Sequence, residues 1–336
     1  ARDRSNTWII SGYQNPIWFC NSAEALLNVS KQSFKSIDKT LIMLPFYFCG
    51  QSLNYLRKEG VKFIFYKLCK DLTPDYDDIN NLLKENSPDF FLHIHYFGKI
   101  ASQNKSRVLC DNDNMLMIED CAHVIHPSVH KYWVGDYIFF SPHKFFPIKH
   151  GGVLFAKNKL AFDHLYSNSI FPFFWHLRKY FSFYGLKKSI DWSIKWSFQS
   201  DNPTFSKPSL IEISIASKSI IKIKEISKIR LHNRDQIFKV CSSYSDWTPL
   251  MDSEHVPYIF GMECDCFDTA KFLYRKFMYL KCPVMMWPDF PSEMKSMQSM
   301  FQQDIKRVEK TIFFFVHEQL DIEKYTLLIK KVINEK

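Results

Sequence analysis

Short apolar runs alternate with polar, periodic segments over roughly the first half of the chain. Ile17–Cys20, Leu41–Pro45, Val61–Tyr66, Asp89–His95, Met115–Ile118 and Tyr137–Phe140 each have the length and content of a strand. Between them, Asn21-Ser22-Ala23-Glu24 opens an apolar-periodic helix, with Asn21 and Glu24 at capping-box spacing. A second helix runs to Glu59 and stops at Gly60, and a third covers Asp77–Glu85. Asp111–Asn114 is polar and predicted as a loop. Strands that are apolar throughout, alternating with helices, predict an α/β fold with a mainly parallel central sheet covered by helices on both faces. In such sheets ligands bind beyond the carboxyl ends of the strands.

The pattern changes after Lys157. Residues 160–200 are aromatic and basic with poor periodicity, and Asp201-Asn202-Pro203-Thr204 with Lys207-Pro208 reads as a linker. Leu210–Ser243 is predicted as one long helix, with Arg230 and Arg234 on one face. A strand His255–Phe260, a helix around Asp268–Leu280, a Trp287-Pro288 turn, a strand Ile312–Val316 and a terminal helix from Asp321 follow. The predicted division is a large domain 1–205 carrying the insert 160–200, a connecting long helix 206–245, and a small C-terminal α/β domain 246–336.

Composition adds limits rather than identity. The 336 residues suffice for two cores. The formal net charge of +9 suits an anionic ligand, but no Lys/Arg block or nucleic-acid motif accompanies it, so no nucleic-acid partner is predicted. Nine cysteines, odd in number and scattered, predict free thiols in a reducing compartment. Cys264 and Cys266, the closest pair, have no second pair or nearby His to complete a zinc site; they are predicted as strand residues, and no metal is expected. No run is long enough to span a membrane and no signal-peptide pattern is visible, which predicts a cytoplasmic protein.

Candidate chemistry concentrates between Met115 and Ala156. Asp120 stands where the Met115–Ile118 run ends, and Lys144 follows the Tyr137–Phe140 run, ahead of Gly151-Gly152. A strand-end acid and a loop lysine on separate strands are what pyridoxal phosphate chemistry requires. The amine holds the cofactor aldehyde as a Schiff base, and the acid keeps the ring nitrogen protonated. Taken singly, a buried Asp and a surface Lys are ordinary features of an α/β sheet.

The neighbours make the pair specific. Glu119-Asp120-Cys121-Ala122-His123, Gly135-Asp136, Lys144, Gly151-Gly152-Val153-Leu154 and His95-Tyr96-Phe97-Gly98 resemble the DegT/DnrJ/StrS-type sugar aminotransferases, fold-type-I enzymes of the aspartate aminotransferase superfamily. The His255-Val256-Pro257-Tyr258 and Val316-His317-Glu318-Gln319-Leu320 elements resemble that family's C-terminal domain. The resemblance implies pyridoxal 5′-phosphate as cofactor, with Lys144 and Asp120 catalytic. It also implies a small-molecule amino donor, a keto acceptor such as a nucleotide-linked sugar for polysaccharide biosynthesis, and a homodimer. His123 stands at the family position that hydrogen-bonds the cofactor's phenolic oxygen, and His95 is expected to be structural. Tyr47, Phe48 and Cys49 are the candidates beside the cofactor ring.

The phosphate cup departs from the family. Asn21, Ser22 and Ala23 replace a Ser-Gly-Thr-like turn, keeping backbone donors but losing the Thr hydroxyl. Phe139 stands five residues before the lysine, where the family places a Ser; Ser141 and His143 are the nearer candidates. Other fold-type-I enzymes use Ser at the spacing of Ser141, and group II decarboxylases carry a His directly before the lysine. A decarboxylase-like pyridoxal phosphate enzyme and a non-catalytic regulator therefore stand as alternatives to the aminotransferase. Phe171–Phe198 interleaves aromatics with Arg178, Lys179, Lys187 and Lys188. It is expected to pack beside the active-site mouth and bind an anionic substrate, with a membrane surface as the disfavoured alternative.

Overall fold

A computed structural model describes residues 8–32, 36–159, 196–197, 209–243, 247–251, 254–286 and 290–334. Most of the aromatic-basic insert, including Arg178, Lys179, Lys187 and Lys188, lies outside the described residues, as do the 201–208 linker and the Trp287-Pro288 turn.

The central sheet has seven strands in the order β1-β7-β6-β5-β4-β2-β3: β1 (Ile17–Phe19), β2 (Leu41–Pro45), β3 (Lys62–Tyr66), β4 (Phe90–Ile94), β5 (Leu116–Cys121), β6 (Tyr137–Phe140) and β7 (Gly152–Ala156). Strands β2 to β6 pair in parallel; β7 is antiparallel to β6, and β1 is antiparallel to β7. Two reversals restore the direction, so β1 leaves the sheet at the same edge as β2, β4, β5 and β6. Five strand exits therefore converge on one side.

The sheet is apolar on both faces, which explains the unbroken apolar runs. Tyr137 and Phe139 of β6 pack into one core with Leu154 of β7, while Ile138 and Phe140 enter a second with Val153 and Phe155. Phe139 and Phe140 are fully buried, each contributing about 2–3 kcal/mol by burial. Helices α1 (Ser22–Ser30), α2 (Asn54–Lys58), α3 (Tyr76–Leu83) and α4 (Asn104–Asn112) lie in the crossovers. Helix α4 takes in Asp111 and Asn112 of the predicted loop, while Asp113 and Asn114 stay outside it as expected. Its buried positions are only Ser106 and Cys110, so it shows no apolar stripe.

The C-terminal residues build a second sheet with its own helices. Helices α5 (Leu210–Ser219) and α6 (Ile223–Cys241) replace the predicted single helix, separated by a 3₁₀ turn at Ile220–Lys222. Ser219 turns its hydroxyl back onto the Ile215 carbonyl next to the break. Arg230 and Arg234 do not act together: Arg230 is buried against Glu318, while Arg234 pairs with its neighbour Asp235. Two residues of the insert, β8 (Trp196–Ser197), pair in parallel with β12 (Phe290–Pro291). The second sheet, β11-β13-β10-β9, comprises β9 (Thr248–Pro249), β10 (Ile259–Glu263), β11 (Val284–Met285) and β13 (Thr311–Phe315). Strand β10 starts four residues later than predicted, because Pro257 has no N–H for a ladder and the Tyr258 N–H donates instead to the Phe97 carbonyl. Helices α7 (Phe267–Tyr279), α8 (Gln302–Glu309) and α9 (Ile322–Asn334) complete the described elements. Cys264 and Cys266 are not strand residues: the first follows β10, and the second is the N-cap of α7. All nine cysteines are free thiols, and no described helix is long and apolar enough to cross a membrane.

Candidate active site

The converging strand exits enclose a cavity of about 410 Å³, within the range of small-molecule sites. The candidates for catalysis and cofactor binding line it: Asn21, Ser22, Ala23, Tyr47, Phe48, Cys49, Asp120, His123, Ser141, His143 and Lys144. Gln51, Ser52, Asn54, Tyr55 and Tyr96 line it too and carried no signal in the sequence beyond their nearness to other motifs.

The helix start at α1 forms one wall. Asn21 caps it by accepting the Glu24 N–H at 2.9 Å, while the Glu24 carboxylate accepts the Cys20 N–H at 2.7 Å. The helix comes this close to the sheet because β7 opens on glycine. A Cβ on Gly152 would lie 2.4 Å from the Asn21 carbonyl carbon and 2.8 Å from the Ser22 nitrogen. From the opposite wall, Ser141 at the exit of β6 hydrogen-bonds the Ser22 hydroxyl. Backbone N–H groups at a helix start, beside two hydroxyls, are donors suited to a phosphate.

Asp120 and its neighbour Glu119 occupy opposite faces of β5, as successive strand residues must. Asp120 faces the cavity, 6% exposed, and accepts the Ala122 N–H at 2.8 Å. Burial raises its carboxyl pKa, against the opposing charge of Lys144 and the Ala122 N–H. Burial likewise lowers the pKa of the Lys144 amine, against the charges of Asp120 and Cys49. Their coupling is through charge, without a hydrogen bond between them. An amine with a lowered pKa is a better nucleophile and base, and a buried carboxylate favours a cation placed beside it.

Glu119 was not singled out as a site residue, yet it organises the site's far side. Fully buried, it accepts the N–H groups of Val134 and Gly135, the Gln103 amide at 2.7 Å and His95 Nε2 at 2.9 Å. Burial alone would raise its carboxyl, but His95 and the backbone donor at Gly135 outweigh that and hold it down at about 2. Because the Ala101 N–H donates to His95 Nδ1, the proton that reaches Glu119 is on Nε2. His95 thus has the structural role expected of it.

His123 presents its ring to the cavity at the exit of β5. The Phe97 N–H donates to its Nδ1 at 3.3 Å, and burial with the Lys144 charge holds its pKa well below the ordinary range. The ring is therefore neutral with its proton on Nε2. His143 donates from Nδ1 to the Gly151 carbonyl at 2.8 Å, which ties the lysine turn to the start of β7. Tyr47 stacks on Tyr96 with centroids 5.5 Å apart, whereas Phe48 makes no ring contact among the described residues.

An amine, an acid, a neutral imidazole donor and an anion-binding helix start match the four kinds of group on pyridoxal phosphate, so the residues present fit that cofactor. Residues 11–167 also match the model of the DegT/DnrJ/EryC1/StrS aminotransferase family. The match spans a little under half of the chain and includes the segment that carries Asp120 and Lys144. It supports a pyridoxal phosphate-dependent transferase.

Solved structures share the fold over nearly the whole chain. Helicobacter pylori PseC, an aminotransferase involved in the biosynthesis of pseudoaminic acid, is 14% identical with a TM-score of 0.70, covering 97% of this chain and 88% of its own. DesV from S. venezuelae, solved with a ketimine intermediate, is 12% identical with a TM-score of 0.68, over 96% and 84%. Spr1654 from Streptococcus pneumoniae, in its PMP form, is 13% identical with a TM-score of 0.65, over 96% and 88%. At such identities the likeness concerns the fold. No curated protein matches the sequence.

Proposed function

We propose that the chain transfers an amino group from an amino-acid donor to the keto group of a nucleotide-linked sugar, with pyridoxal phosphate held covalently on Lys144. The observation that carries this is the meeting of Lys144 and Asp120, from the exits of adjacent strands, in one cavity beside the start of α1. When bound, the cofactor supplies an electron sink for the bonds at the donor's amino carbon.

The chain's own residues supply the rest. Asp120 holds the proton on the ring nitrogen, an ion pair strengthened by burial. His123 donates from Nε2 to the phenolic oxygen. The first turn of α1 receives the phosphate together with the Ser22 and Ser141 hydroxyls, in place of the family's Ser-Gly-Thr-like turn. Phe48 would be the aromatic to lie against the ring, since Tyr47 is already stacked on Tyr96. Lys144 Nζ, with its lowered pKa, takes and returns the proton at the donor's Cα.

A nucleotide-linked acceptor is supported by the net charge of +9 and by the cations of Phe171–Phe198. The enzyme works as a homodimer, as the family resemblance implies, and the nine free cysteines suit the reducing cytoplasm. His143 serves the lysine turn through its bond to the Gly151 carbonyl, so its presence before the lysine does not favour decarboxylation.

The test is to load the protein with pyridoxal phosphate, reduce with borohydride and map the labelled peptide by mass spectrometry. The expected label is on Lys144, with bleaching of the visible band by glutamate and release of 2-oxoglutarate. A label on another lysine, or carbon dioxide release in place of the oxo acid, defeats the assignment.

A further inference from the structure

His123 meets the cavity with its ring stacked against two aromatics from different parts of the chain. Phe97 of the turn after β4 lies with centroids 5.4 Å apart and planes 12° apart. Tyr258, from the segment that leads into β10, lies at 4.7 Å and 9°. The two aromatics are also joined through their backbones. The Phe97 N–H donates to His123 Nδ1, and the Phe97 carbonyl accepts the Tyr258 N–H at 2.9 Å.

The geometry around this stack is tightly held. Phe97 adopts φ +53°, a left-handed conformation that a bulky side chain rarely takes unless the surroundings impose it. The next residue, Gly98, has φ +101°, and a Cβ there would lie 2.0 Å from the Val256 carbonyl oxygen. Only glycine allows the turn after β4 to dock on the 256–258 segment. Arg230 of α6 fixes that segment from behind, donating to the carbonyls of Pro257 and Tyr258 while paired with Glu318. The Tyr258 ring also stands 5.5 Å from Lys144 Nζ and edge-on to Phe145.

We propose that Tyr258 is a positioning residue, which stacks on the His123 imidazole and so holds the ring in the plane where the Phe97 N–H meets Nδ1 and keeps the Nε2–H directed to the cofactor. The donor that meets the phenolic oxygen is then set by the docking of the 256–258 segment on the turn after β4. The ring of Tyr258 performs this task and its hydroxyl does not, because the contacts to His123 and Lys144 are made by the ring. This inference rests on the assignment of His123 and Lys144 to the cofactor site.

The experiment compares Tyr258→Phe, Tyr258→Leu and Tyr258→Met in two ways. Nitrogen-15 spectra of the imidazoles in cofactor-free protein read the His123 tautomer, the signal being assigned by its loss in His123→Gln. Titration with pyridoxal phosphate gives the dissociation constant. Wild type and Tyr258→Phe are expected to show one neutral Nε2–H tautomer and the same affinity within about twofold. Tyr258→Leu and Tyr258→Met are expected to show averaged tautomer shifts and about tenfold weaker cofactor binding, the scale of losing a residue that orients a ligand. The proposal is overturned if the folded Leu or Met variant keeps a single tautomer and wild-type affinity, or if Tyr258→Phe falls with them. Should Tyr258→Leu fail to fold, the Met and Phe variants decide. If wild type binds no pyridoxal phosphate, the functional reading fails separately, and the cofactor-free spectra still judge the role of Tyr258.

Discussion

Glu119→Ala removes one acceptor and leaves four buried donors without it. They are the N–H groups of Val134 and Gly135, the Gln103 amide and His95 Nε2. A buried donor left unpaired costs about 1–3 kcal/mol, and with partial relaxation the four together give an expected loss of about 3–5 kcal/mol. The depressed carboxyl points to the same scale. Glu119 is held at about 2 against an ordinary 4.5, and each pKa unit is about 1.4 kcal/mol, so the charged form contributes about 3 kcal/mol. Because the folded value is the depressed one, this contribution is complete above about pH 4.5 and is lost as pH falls toward 2. Glu119→Gln separates the donors: its carbonyl still serves Val134 and Gly135, but its amide meets two donors, and His95 cannot change tautomer without losing the Ala101 N–H. The expected cost is about 1–3 kcal/mol. Urea unfolding at pH 7 and pH 4 measures both variants. Wild type should lose stability on acidification by more than either variant does. An alanine variant within about 1 kcal/mol of wild type at pH 7 would refute the assignment of Glu119 as the shared acceptor.

Asp120→Asn should retain cofactor but reduce turnover by about a hundredfold or more, since an amide cannot hold the ring-nitrogen proton; single-turnover kinetics with glutamate measure it, and near-normal rates would remove the role. Gly152→Ala should destabilise by about 1–3 kcal/mol and weaken pyridoxal phosphate binding, because its Cβ meets backbone atoms of Asn21 and Ser22; unchanged affinity would mean that α1 does not receive the phosphate. Neutralising Arg178, Lys179, Lys187 and Lys188 together should raise KM for an anionic acceptor with the cofactor spectrum unchanged. Loss of sedimentation with anionic liposomes alone would assign that segment to a membrane surface instead.

What the sequence revealed and what it hid divide along the range of the interactions concerned. Asp120, Ser141 and Lys144 were legible because each follows an apolar run, and a strand's length and exit are set by residues adjacent in sequence. The parallel sheet was legible for the same reason: its strands, apolar on both faces, need helices on either side. Glu119 stands one residue from Asp120 and was still missed as a functional residue, since its partners lie 15 to 24 residues away and meet it only when β4, β5 and the approach to β6 are aligned. The start of β10 failed likewise. His255–Phe260 has strand composition, but the Tyr258 N–H is taken by Phe97, a partner supplied by the other sheet. That diversion, which shortens the strand, also carries the Tyr258 ring onto His123. A local departure from the expected strand is here the price of bringing a residue from the segment ahead of β10 to the site, and it follows from one close approach that Gly98 permits. Gly98→Ala should then disturb both features together, exposing β10 to faster hydrogen exchange and releasing the His123 tautomer. If exchange in β10 rises while the His123 signal stays unchanged, the strand start and the ring stack are independent, and the coupling argued from Phe97 is wrong.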